Sequence, residues 1–130
     1  MTKKETRDIL NWFQANIGLS DWGIEVSAPE PPKGMMCDMP PEKWGLFLGR
    51  TDINISLNKA RVWINTKAHT DTSEEAWQEN WSEPETLVHE LLHIFFADKG
   101  LDETSEQCEH AINQLAAALV KGMMKGMANG

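Results

Sequence analysis

The sequence predicts an α+β fold in which three or four short, antiparallel strands lie between helices. Residues 22–64 contain several segments where apolar and polar residues alternate, the period of a strand with one buried face. Residues 85–96 form a run of helical length whose apolar side chains surround nearly the whole helix. Helix start and stop signals frame that run and open another pattern downstream.

The elements follow in order. Residues 5–17 place Ile9, Trp12, Phe13 and Ile17 on one helical face, with Gly18 as a stop. Trp22, Ile24 and Val26 alternate with Gly23 and Glu25 as a short strand, which Pro29, Pro31 and Pro32 end in a loop reaching about Pro41. Trp44, Leu46 and Leu48 repeat the alternation, as do Ala60, Val62 and Ile64, and Ile53, Ile55 and Leu57 are a further candidate. From Lys67 to Trp81 the chain is polar and acidic, which fits a loop with a short helical turn carrying Trp77 and Trp81. Ser82 as N-cap, Pro84 in the first turn and Glu85 three residues after the cap announce a helix running to about Lys99, with Gly100 as its stop. Thr104 with Gln107 opens the last helix by the same pattern; it carries Ala111, Ile112, Leu115, Ala116 and Leu119. The Met- and Gly-rich tail from Lys121 is expected to fray.

Inside the apolar helix, residues 89–93 read His-Glu-Leu-Leu-His. At about 100° per residue, His93 sits about 40° around the helix from His89, and Glu90 about 60° beyond His93. Two imidazoles thus share a face one turn apart, with a carboxylate beside them that can reach a metal-bound water without ligating. Leu87, Val88, Leu91, Leu92, Ile94, Phe95 and Phe96 surround these groups, so the helix is central and the imidazoles are expected to be buried. Polar groups so buried need a partner.

A catalytic zinc site takes three protein ligands and keeps one position open. Downstream candidates for the third are Glu103, Glu106, Glu109 and His110. With the apolar face of the last helix centred near Cys108, Ile112, Leu115 and Leu119, Glu109 lies about 95° from that centre, Glu106 about 155° and His110 about 165°. Glu109 alone turns inward at low cost. Two imidazoles and a carboxylate favour one zinc per chain, with other first-row metals able to substitute in vitro. Glu90 then serves as general base in amide hydrolysis. A further donor normally stabilises the oxyanion; the chain has no tyrosine, which leaves His69 and His110 as the remaining imidazoles.

Composition bounds the partners. The 130 residues and 41% apolar content suit one domain, 1–130, and a monomer. Net charge is −8; residues 1–70 hold 9 Lys or Arg against 8 Asp or Glu, and residues 71–130 only 3 against 12. With no basic stripe, binding to nucleic acid or an anionic membrane is disfavoured. No apolar leader and no uncharged run of about 18 residues is present, so the expectation is a cytoplasmic protein. Cys37 and Cys108 are expected to be reduced thiols.

In these residues the chain resembles the zincin metallopeptidases, most closely the minimal single-domain gluzincin-type proteins of phages, prophages and archaea. The specific parts are the Glu-Thr-Leu-Val-His-Glu-Leu-Leu-His run at 85–93 and the Glu-His-Ala-Ile-Asn-Gln-Leu-Ala run at 109–116. The resemblance implies a small twisted sheet packed on an active-site helix and a glutamate helix, with zinc on His89, His93 and Glu109 and Glu90 catalytic. It also implies a peptide or protein substrate lying extended along an edge strand. Likeness to SprT-like proteases ranks lower, because those usually complete the site with a histidine. The alternatives are a non-enzymatic protein whose zinc clips the last two helices together, and a regulatory protease that grips one partner through exposed tryptophans, since 6 Trp in 130 residues exceed what a core of this size needs.

Overall fold

The computed structural model describes residues 1–69 and 82–129, with side chains to residue 126. Its order is α1 (Lys3–Asn16), β1 (Gly23–Ser27), β2 (Gly49–Asn54), β3 (Lys59–Ile64), the short α2 (Thr66–His69), α3 (Glu83–Asp98) and α4 (Glu106–Asn129). The fold is α+β, as the sequence predicts.

The sheet differs from expectation in one pairing. Among the described residues it has three strands in the order β1-β3-β2, with β1 parallel and β2 antiparallel to β3. It is therefore mixed, not mostly antiparallel. The cause is topological: β1 and β2 occupy opposite edges, so the chain between them must cross the sheet before the β2–β3 hairpin closes. The crossing segment covers the face turned away from α3. There Met35 and Met36 bury against Trp63, supported by Met39, Trp44 and Phe47. Trp63 Nε1 donates to the Pro29 carbonyl at 2.7 Å and Arg61 Nη1 to that of Lys33 at 3.0 Å. The proline-rich loop is thus a lid on the back of the sheet.

Trp44, Leu46 and Leu48 do not form the expected strand. Pro40 and Pro41 start a 3-10 turn over Pro41–Leu46, and Asn65 Nδ2 holds its end by donating to the carbonyls of Trp44 and Phe47, each at 2.9 Å. Likewise β2 ends at Asn54, and Ile55–Leu57 is a 3-10 turn in which Ile55 and Leu57 are exposed.

On the other face Ala60, Val62 and Ile64 of β3 meet Leu87, Val88, Leu91 and Ile94 of α3, with Ile9 and Phe13 of α1 and Ile112, Ala116, Val120 and Met123 of α4 in the same core. α3 packs against β2 and β3, and α1 and α4 pack against α3, so α3 is the central helix. Ser82 caps it by accepting from Glu85 N, and Gly100 ends it at φ 75°. The cap of α4 is Ser105, whose hydroxyl accepts from Cys108 N at 3.2 Å; Thr104, the expected cap, instead donates to Asp102 at 2.6 Å. α4 also continues where fraying was expected, because Val120 and Met123 are buried.

Of the described tryptophans, Trp22 and Trp63 are buried and Trp12 and Trp44 half-buried, so none of these four is an exposed aromatic side chain. Trp77 and Trp81 lie outside the described residues. Both cysteines are free thiols. Among the described residues no helix is long and apolar enough to cross a membrane.

Candidate metal centre

The helical spacing of 89 and 93 turns both imidazoles to the α4 side of α3. Their Nε2 atoms lie 3.1 Å apart. Glu109, in the first turn of α4, meets them with Oε1 at 3.2 Å from His89 Nε2 and Oε2 at 3.2 Å from His93 Nε2. His89, His93 and Glu109 form a group able to hold a metal ion. Glu103 and Glu106 are not in it, and His110 is exposed on the outer side of α4.

The donor set fits a cation better than protons. Burial first, and the neighbouring His93 second, push the His89 imidazole down to about 4, so it is neutral near pH 7. For Glu109 to accept from both rings, both Nε2 atoms must carry hydrogens, and those would oppose each other across 3.1 Å. A cation satisfies all three lone pairs together. A tetrahedral ion with bonds near 2.05 Å separates neighbouring donors by about 3.3 Å, close to the 3.1 and 3.2 Å found here.

Glu90 lies beside this group and points to the sheet. It is 7% exposed, and its Oε2 accepts a hydrogen bond from the Thr51 hydroxyl on β2. Burial pushes its carboxyl up to about 7; the Thr51 hydrogen bond opposes the rise and Glu109 adds to it.

The approach of β2 to α3 depends on Gly49. A Cβ there would stand 2.8 Å from the Trp63 carbonyl oxygen, 2.9 Å from Thr86 Cγ2 and 3.6 Å from Glu90 Cγ. The ladder fixes which β2 groups face outward. Asn65 N donates to the Leu48 carbonyl at 2.8 Å, so Gly49 and Ile64 are a pair that exchange no hydrogen bond, and by alternation so are Thr51 with Val62 and Ile53 with Ala60. Gly49, Thr51 and Ile53 thus aim their backbone N–H and C=O groups at the outer edge of β2.

Three participants were not apparent from the sequence. Asn113 follows Glu109 by one turn of α4; its buried Oδ1 makes no well-formed hydrogen bond, yet its side chain faces His89 closely enough to oppose the fall in that imidazole's pKa. The i+4 spacing was a usable signal. Thr51 and Gly49 had none, because strand register alone brings them to Glu90. His69 Nε2 lies 3.0 Å from Thr86 Oγ1, one turn before Glu90 on α3.

Comparison with protein-family models, curated proteins and solved structures returned no match.

Proposed function

We propose that the protein is a zinc-dependent endopeptidase with a zincin-like arrangement of sheet, active-site helix and glutamate helix. The observation that carries this reading is the convergence of His89, His93 and Glu109 beside a buried Glu90 that is tied to an edge strand. When bound, zinc supplies Lewis acidity toward water and the scissile carbonyl.

The chain's own residues supply the rest. Gly49, Thr51 and Ile53 offer an extended peptide backbone partners along the β2 edge, which sets it beside Glu90 by strand addition. Glu90 receives the proton of the attacking water at its carboxylate and hands it to the leaving amine. Burial pushes this carboxyl up to about 7 in the metal-free protein, and a cation bound beside it favours the carboxylate, the form that takes the proton of the water. The chain has no tyrosine and the His69 ring is engaged by Thr86, so among the described residues no side chain is set aside as a donor to the oxyanion.

The test is hydrolysis of an unstructured peptide mixture by zinc-loaded protein, read by mass spectrometry. Cleavage is expected, with Glu90→Gln slower by about 10²–10⁴-fold at unchanged zinc content. Equal rates would exclude Glu90 as the base. A second reading, a non-catalytic zinc clip, has in its favour that the three donors bridge α3 and α4; a zinc-loaded protein inert on every peptide supports it.

A further inference from the structure

We infer that Thr51 is a positioning residue that links docking of the substrate strand to the aim of Glu90. The inference rests on the peptidase reading above. Its basis is that one residue faces both ways. The Thr51 side chain turns to α3 and donates to Glu90 Oε2, while its backbone N–H and C=O point to the outer edge of β2.

The consequences follow from geometry. A glutamate side chain on a helix has several rotamers, and burial alone does not select one. The hydroxyl does: it fixes one carboxylate oxygen, leaving Oε1 to meet the attacking water. A peptide pairing with the Thr51 backbone is then registered to the residue that holds the base, so the scissile bond and the proton acceptor share one anchor. Gly49 makes this possible, since a side chain there would wedge β2 away from Thr86 and Glu90. No other side-chain hydroxyl is bonded to Glu90 among the described residues.

The experiment compares Thr51→Val, which keeps the shape and removes the donor, with Thr51→Ser, which keeps the donor. Zinc per chain and thermal midpoint are measured first, then kcat and KM on one cleaved peptide. The expected result is that Thr51→Val retains zinc and the KM within about 3-fold while kcat falls about 10- to 100-fold, part of the 10²–10⁴ that a placed base contributes. Thr51→Ser restores kcat to within about 3-fold of wild type, which a merely structural role does not explain. A substrate-free readout accompanies it: in metal-free protein the Thr51 hydroxyl proton gives a slowly exchanging NMR resonance that disappears in Glu90→Ala. An active wild type whose Thr51→Val variant turns over equally fast overturns this inference and leaves the peptidase reading standing. An inert wild type overturns both, even with the hydroxyl resonance present.

Discussion

Glu109 Oε2 stands 3.2 Å from His93 Nε2, so the carboxylate that completes the donor group reaches it from α4, across a helix interface, and not from the helix that carries the imidazoles. Its companion Oε1 is equally close to His89. Packing of Ile112, Ala116 and Val120 against α3 is therefore what sets the third arm in place.

Asn113 tests whether that interface also orients the imidazoles. A carboxamide facing the back of His89 favours the tautomer whose Nε2 lone pair is available to a metal. Asn113→Ala is expected to weaken zinc binding by about 10- to 100-fold, measured by competition with a chromogenic chelator. Asn113→Asp is expected to retain it.

Gly49→Ala is expected to destabilise the protein by about 1–3 kcal/mol, the usual range for an overpacked site. The added Cβ meets the Trp63 carbonyl and Thr86 Cγ2, and backbone cannot yield as a flexible side chain can. Urea midpoints read the loss. Peptide hydrolysis is expected to fall further than stability explains, because β2 carries Thr51 away from Glu90.

Trp63 tests the covering loop. The ring is 1% exposed and is the buried centre on which Met35 and Met36 rest. Trp63→Ala is expected to cost about 3–5 kcal/mol and to make the 28–48 segment susceptible to limited proteolysis. Wild-type resistance in the variant would mean that the loop is held without the ring and its bond to Pro29, by contacts such as that of Arg61 with the Lys33 carbonyl.

In the metal-free protein the two perturbed groups of the site, Glu90 and His89, pull stability in opposite directions with pH. Glu90, raised from 4.5 to about 7, contributes stability that is present below pH 4.5 and lost as pH climbs through 7. His89, lowered from 6.5 to about 4, contributes stability that is present above pH 6.5 and lost as pH falls through 4. Between 4.5 and 6.5 the two slopes offset each other. In Glu90→Gln the Glu90 slope is gone and that of His89 remains. Relative to wild type the variant is expected to gain stability from pH 4.5 to 7, by up to about 1.4 kcal/mol per pH unit. Urea titrations in chelator check this; a pH-independent difference would contradict it.

The parts legible in the sequence were those fixed by local chemistry. Ser82, Pro84 and Gly100 bound α3, the 89 and 93 spacing put two imidazoles on one face, and the angle of Glu109 picked it from four downstream candidates. What was not legible depends on distant partners. The parallel β1–β3 pairing has no local signal. Trp44 and Leu46 alternate like a strand, yet Pro40, Pro41 and the Asn65 side chain bend them into a turn. Gly122 and Gly126 each cost a helix about 1 kcal/mol, and burial of Val120 and Met123 outweighs that in α4. Thr51 reaches Glu90 through strand register, which no spacing within β2 reveals.

The most direct test of the centre is zinc per chain by elemental analysis, comparing wild type with Glu109→Ala after the same chelator wash. One zinc per chain in wild type and little in the variant is the expected result. No zinc in wild type would contradict the metal centre itself; equal retention in both would remove Glu109 from it.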